Sequence, residues 1–160
     1  MKSLALLLSR VCLAAWVGAS IFFVFVLLDL RQSTLFDDQT KNDHPKILFP
    51  LYYKCELGMM GAALVAAAVA GSHPAVHRKA HRVQLALMCV ALAIAVADYF
   101  FVYGPLTEML SMNARDATFR TYHLLSVWLN MANLAFWTAA ALIALWPAPP
   151  SRSDAGLSTS

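Results

Sequence analysis

A chain of 160 residues that is 60% hydrophobic and 13% charged, with mean hydropathy +0.61, is too apolar for an ordinary soluble domain, where charged residues make up about a quarter. Its net charge of +3 comes from Lys and Arg set between apolar runs, not gathered into a basic stripe, so nothing suggests nucleic acid and none is expected as a partner. What remains is a multi-pass membrane protein, with room for four crossings of about 20 residues but none for a separate catalytic domain of typical size.

The first crossing is predicted over residues 11–30. Lys2 ahead of the run Leu4–Leu8 raises the alternative of a signal peptide, but Arg10 interrupts that run and the apolar stretch outlasts an h-region of about 7–15 residues. Ala14 with Gly18, and Ala15 with Ala19, are four apart, a spacing that lets a neighbouring backbone approach closely. The connection over residues 29–46 carries Asp37, Asp38, Asp43 and His44 and reads as a water-exposed loop with room for a short interfacial helix.

The second crossing is predicted over 47–70, with Gly58, Ala62, Ala66 and Ala70 as its packing seam. Gly71, Ser72, His73 and Pro74 end it, and Arg78, Lys79 and Arg82 crowd the loop before the third crossing, 83–103, which Pro105 should stop near Tyr103 or Gly104. A third loop with Glu108, Asn113, Arg115 and Asp116 leads to the fourth crossing, 122–145, closed by Trp146 at the level of an interfacial aromatic. The segment 147–160 is rich in proline and serine and is expected to be a disordered tail. The fold expected is thus all-α, a four-helix transmembrane bundle over 1–146.

Polar residues concentrate at one end. In a chain of four crossings, the end of the first, the start of the second, the end of the third and the start of the fourth share one leaflet. Asp29, Tyr52, Tyr53, Lys54, Glu56, Asp98, Tyr99 and Tyr103 belong there, with Arg120, His123, Ser126 and Asn130 opening the fourth crossing and Asn133 near its middle. At about 100° per residue, His123, Ser126, Asn130 and Asn133 form a stripe on one helix face, with Arg120 at its edge. An isolated charge in hydrocarbon costs about 2.5–3.5 kcal/mol even on the gentle insertion scale, so Glu56 or Asp98 is expected to pair with Lys54, Arg120 or His123. Two readings stay open. The cluster either fixes helix register, or lines a polar cavity for a small solute, ion or proton with His123 as its titrating member.

His73, His77 and His81, spaced four apart, would line one face if helical and are candidate metal ligands, although Arg78, Lys79 and Arg82 beside them would repel a cation and favour anionic lipid. Cys12, Cys55 and Cys89 fall in predicted crossings with no metal-site spacing and read as small buried apolar residues. Nucleotide-binding glycine patterns, HExxH and GxSxG do not occur, which weighs against an enzyme without excluding one, and no cofactor is expected. One intramembrane His cannot supply two axial ligands to a haem within a protomer.

The segments AWVGASIFFVFV in the first crossing, LFPLYY at the start of the second and FRTYHLLSVWLN at the start of the fourth together resemble the transmembrane protein 205-like family, over residues 15–140. The resemblance implies a four-helix membrane domain of undefined biochemistry, with motif positions at Trp16, Gly18, Phe49, Pro50, Tyr52, Arg120, His123, Ser126 and Asn130. It also implies a bacterial cytoplasmic membrane as the setting, and one animal member of the family is associated with resistance to a platinum drug. Six Lys and Arg on one side (Lys2, Arg10, Arg78, Lys79, Arg82, Arg152) against five on the other (Arg31, Lys41, Lys46, Arg115, Arg120) favour both termini in the cytoplasm. The expected role is a small-solute or metal-stress conduit, or an accessory to one, with lipid, a small solute or metal ion, and a membrane-protein partner or second copy as partners. The alternatives are an assembly or scaffolding subunit of a membrane complex and, more weakly, a copper-resistance-like export protein.

Overall fold

Nothing between Lys2 and Gln32 breaks an α-helix, and α1 runs unbroken over Lys2–Gln32, starting well before the first predicted crossing. Helix α2 spans Asp38–Ala70, α3 Arg78–Ala97, α4 Gly104–Ser111 and α5 Ala117–Leu145. The computed structural model describes residues 1–73, 76–112 and 117–146; the expectations for Pro74, for Asn113, Arg115 and Asp116, and for the tail 147–160 with Arg152 lie outside them. Four helical stretches among the described residues are long and apolar enough to cross a membrane: Lys2–Gln32, Gln39–Ala70, Arg78–Ser111 and Ala117–Leu145.

Two boundaries differ from expectation, each for a local reason. The loop expected over 29–46 shrinks to residues 33–37, because the Asp37 carboxylate accepts the Thr40 N–H at 2.7 Å and caps α2 eight residues ahead of Pro45. Pro45 and Pro50 both lie inside α2. The third crossing does not stop before Pro105 either. Residues Asp98–Tyr103 wind as a wider π-helical turn, in which the Gly104 N–H reaches back five residues to the Tyr99 carbonyl, and the helix resumes as α4. The wider turn opens the ladder where the proline ring would otherwise meet a carbonyl.

The helices form a closed ring: α1 packs against α2 and α5, and α3 against the same two. Buried positions recur at alternating steps of three and four residues. In α2 they are Tyr53, Glu56, Met60, Ala63, Ala67 and Ala70, and along α3 and its continuation His81, Gln84, Met88, Ala91, Ala95, Asp98 and Val102. That is the spacing of a left-handed bundle seam. In the half nearer the start of α3, small alanines let the backbones close around Trp16, Met60, Met88 and Trp137. The outer surface, by contrast, carries Phe22, Phe25, Leu51, Val65, Phe100, Phe101, Trp128 and Leu142, an apolar coat suited to lipid.

The seam differs in part from the predicted one. Ala66 and Ala70 are buried, but Gly58 and Ala62 are exposed, as are Ala14, Ala15, Gly18 and Ala19 of α1. Small residues sit on both faces of these helices, so their spacing alone does not identify the inner one. Cys12 is buried, whereas Cys55 and Cys89 are exposed, since each lies one residue from a seam position and is turned away by about 100°.

At the turn between α2 and α3, Gly71 lies against His81. A Cβ at Gly71 would stand 2.8 Å from His81 Nε2, and the imidazole is held in the packed interior by Gln84. Gly71→Ala should therefore cost about 1–3 kcal/mol by overpacking, and less in a His81→Ala background, as a double-mutant cycle of thermal unfolding would read. The Asp37 carboxyl is held below its ordinary value of 3.8 by the Thr40 hydroxyl and amide. A depressed carboxyl contributes above its unfolded value and loses that contribution as pH falls through the folded one. Amide exchange at Thr40 should thus quicken under acid below about pH 4, and quicken at neutral pH in Asp37→Ala but not in Asp37→Asn.

Candidate functional site

The polar centre of the bundle is assembled by the seam repeats of α2, α3 and α5. Asp98 follows Ala91 and Ala95 on the inner face of α3, at the first residue of the π turn, and is 1% exposed. Its Oδ2 accepts from the Tyr53 hydroxyl at 2.5 Å, the Asn130 side-chain amide at 2.6 Å and the Ser126 hydroxyl at 3.2 Å. Asn130 also donates to the Ser126 carbonyl at 2.9 Å, which ties it to its own helix. One turn deeper, Glu56 is fully buried and its Oε1 accepts from the Asn133 amide at 2.5 Å. Three helices thus meet at two carboxyl groups.

Neutral donors, not cations, satisfy these groups. The expected pairing with Lys54, Arg120 or His123 does not form: all three are exposed, and the ion pair found among the described residues is Lys46 with Asp43 at the aqueous end of α2. Lys54 stands two residues from Glu56, about 200° around the helix, and so points outward. His123 is a different matter. It lies seven residues before Asn130, on the same face of α5, but at its level the helices have parted, and it borders a pocket of ≈ 420 Å³ together with Phe49, Tyr103 and Phe119, the last stacked on its ring.

Between that pocket and Asp98 stands an aromatic layer. The Tyr103 ring lies 4.7 Å from that of Tyr53, 5.8 Å from Tyr99 and 6.2 Å from Phe49. On the α1 side, Tyr52 stacks on Phe23 at 4.5 Å and meets Trp16 at 5.2 Å. Of the motif positions, Trp16, Phe49 and Tyr52 therefore belong to this aromatic packing, Pro50 sits within α2 beside it, and Gly18 faces outward. Glu56, Asp98 and Asn130 are not among the pocket's lining residues; they lie behind the tyrosines.

Several buried polar atoms have no partner among the described residues: Glu56 Oε2, Asp98 Oδ1 and Asn133 Oδ1 are acceptors, and Trp137 Nε1 is a donor one turn along α5 from Asn133. Buried acceptors left without donors are rare in folded proteins, and such an oxygen has room for a hydrogen bond from an ordered water, an ion or an added proton. Tyr53 and Asn133 belong to the polar gathering expected from the sequence, but the pairing expected there, with Lys54, Arg120 or His123, does not name them as the partners of the carboxyl groups. The signal that finds them is the step of three and four: Tyr53 precedes Glu56 by three, and Asn133 follows Asn130 by three.

The three histidines of the second loop do not share a helix face. Helix α2 ends at Ala70 and α3 starts at Arg78, so His73 and His77 precede the helix that holds His81. His77 caps α3 through Nδ1, which faces the Ala80 N–H at 3.5 Å; His73 shares a hydrogen bond with the Ser3 hydroxyl at 3.2 Å; and His81 is bonded to Gln84. Among the described residues no three His, Cys, Asp or Glu side chains are grouped closely enough to hold one metal ion.

A family model described as a domain of unknown function, DUF4149, matches residues 11–117. The match takes in the first three crossings and ends before the Arg120 to Asn130 stretch. No curated protein and no solved structure matches the chain.

Removing the carboxyl of Asp98 takes the acceptor from three donors, of which the buried Tyr53 hydroxyl is left at a cost of about 1–3 kcal/mol, while Asn130 keeps its bond to the Ser126 carbonyl. Asp98→Ala should lower the thermal midpoint of the purified protein more than Tyr53→Phe or Ser126→Ala, while Asp98→Asn, which keeps an acceptor oxygen, should fall between Asp98→Ala and wild type.

Proposed function

The chain belongs to the DUF4149 family, and on that footing we propose that this integral membrane protein handles a small cationic solute, in its simplest form the proton, at the Asp98–Glu56 centre. The observation that carries the proposal is the pair of fully buried carboxyl groups with neutral donors on one oxygen each and none on the other. A carboxyl in that setting can change its proton inventory without dismantling a salt bridge, because Tyr53, Ser126, Asn130 and Asn133 remain bonded to the oxygen they already hold. The tyrosine layer beneath the pocket supplies hydroxyl groups along the approach from the outer leaflet.

The role so assigned is that of a solute conduit or an accessory to one, in keeping with the likeness to the transmembrane protein 205-like family. Placement of the basic second loop, with Arg78, Lys79 and Arg82, and of both termini in the cytoplasm follows the count of Lys and Arg and puts the pocket on the opposite side. A scaffolding subunit would present its polar stripe outward, but Ser126, Asn130 and Asn133 turn toward Asp98 and Glu56. A copper-export reading draws little from the methionines, since Met60 and Met88 are packed with Trp16 and Trp137.

The full chain in liposomes, under an imposed membrane potential and with a trapped pH-sensitive dye, tests the proposal. Wild type should pass protons faster than protein-free vesicles, and Asp98→Asn, if folded to a wild-type circular-dichroism spectrum, should abolish the excess. Equal rates in wild-type and empty vesicles, for protons and for sodium or potassium alike, would sink it.

A further inference from the structure

The pocket outside the tyrosine layer carries chemistry that the carboxyl centre does not use. It lies where α1 ends, α2 begins and α4 meets the start of α5, at the boundary between the apolar crossings and the aqueous loops. Its polar lining is basic: Arg31, Lys41, His44, Lys46 and His123 contribute, and no carboxylate side chain borders it among the described residues. The Lys46 ammonium is engaged by Asp43 at 2.8 Å. The side chains of Arg31 and Lys41 have no hydrogen-bond or ion-pair partner among the described residues, and His44 Nδ1 is shut off from solvent without one.

The rest of the wall is apolar. Leu27 and Leu28 of α1 and Leu106 and Leu110 of α4 line it, together with Phe49 and with Tyr103, whose ring reaches the tyrosine layer. Leu28 is also 51% exposed, which places part of this wall at the apolar outer surface. At ≈ 420 Å³ it falls within the range of about 300–1,000 Å³ usual for small-molecule sites. Unneutralised cations above an apolar slot match one class of molecule. A free inorganic anion would leave the leucine walls unused, and a neutral lipid would leave Arg31 and Lys41 without a counter-charge.

We infer that this pocket is a binding site for an anionic phospholipid of the surrounding bilayer, its phosphate against Arg31 and Lys41 and one acyl chain between Leu27 and Leu106. His44 supplies a further hydrogen-bonding group at the headgroup, and Arg31 can hold two phosphate oxygens at once. The site is separate from the carboxyl centre, with Tyr103 between them.

The test uses the full chain, purified and returned to nanodiscs of phosphatidylcholine with increasing phosphatidylglycerol, with lipid retained by the protein counted by native mass spectrometry. Phosphatidylglycerol should be retained in preference to phosphatidylcholine, and the preference should weaken about tenfold, or about 1.4 kcal/mol, in Arg31→Gln/Lys41→Gln. Leu106→Trp, which fills the slot, should do the same with the basic residues intact. The pair Arg78→Gln/Lys79→Gln at the other end of the bundle should leave it unchanged, and Asp98→Asn should as well, which keeps this result independent of the flux experiment. Equal retention of the two lipids, or an equal loss in both basic pairs, overturns the inference. So does displacement of phosphatidylglycerol by millimolar inorganic phosphate with Leu106→Trp without effect, which would mark a free-anion site.

Discussion

A carboxyl group inside a lipid-soluble bundle has no water to turn to, so every neighbour within reach must be chosen for it. Asp98 meets that requirement with one hydroxyl from α2 and a hydroxyl and an amide from α5, and Glu56 with an amide from α5. Those bonds tie three of the four crossings together at one level. Lipid tails are as apolar as leucine, so helix association gains little from the hydrophobic effect, and close packing with a few directed hydrogen bonds decides which faces meet. The alanine-lined half supplies the packing and the Asp98–Glu56 half supplies the direction.

The π turn is where these two demands are reconciled. By adding a residue to one turn, Asp98–Tyr103 keeps Asp98 and Val102 buried while setting Tyr99 and Tyr103 side by side against Tyr53. The same turn accommodates Pro105 and lets the helix continue to Ser111, so that α4 rises past the polar centre and forms one wall of the outer pocket. Such turns inside α-helices occur often at functional sites, and here it separates a sealed carboxyl centre from an open basic vestibule. The two compartments differ in chemistry: one is lined by carboxyl groups and neutral donors, the other by basic side chains and leucines.

Much of this was readable residue by residue. Hydropathy alone locates four crossings, and of the stripe His123, Ser126, Asn130 and Asn133 the last three turn toward the carboxyl groups while His123 is exposed. Depth in the membrane also places Glu56 and Asp98 at comparable levels, but depth carries no angle, and so Lys54, two residues from Glu56, was grouped with it although it points the other way. The preference for charge pairing misled in the same fashion. Neutral amides and hydroxyls from neighbouring helices serve a carboxyl group well enough that no cation need be buried with it. The small-residue seam held only at Ala66 and Ala70, for a plainer reason: alanine and glycine are frequent on every face of these helices, so their spacing alone does not select the inner one.

The sequence by itself determined that this chain is helical, that it crosses a membrane four times, and that its polar residues gather toward one end, because each of these follows from side-chain transfer energies and helical periodicity summed along a single segment. Only the tertiary structure decided which members of that gathering touch. His123 and Asn130 share a face of α5, yet Asn130 is bonded to Asp98 while His123 stands at an open pocket, because the other helices are close at one level and have parted at the next. How far apart neighbouring helices stand at a given height is a property of all four together, and no single segment encodes it.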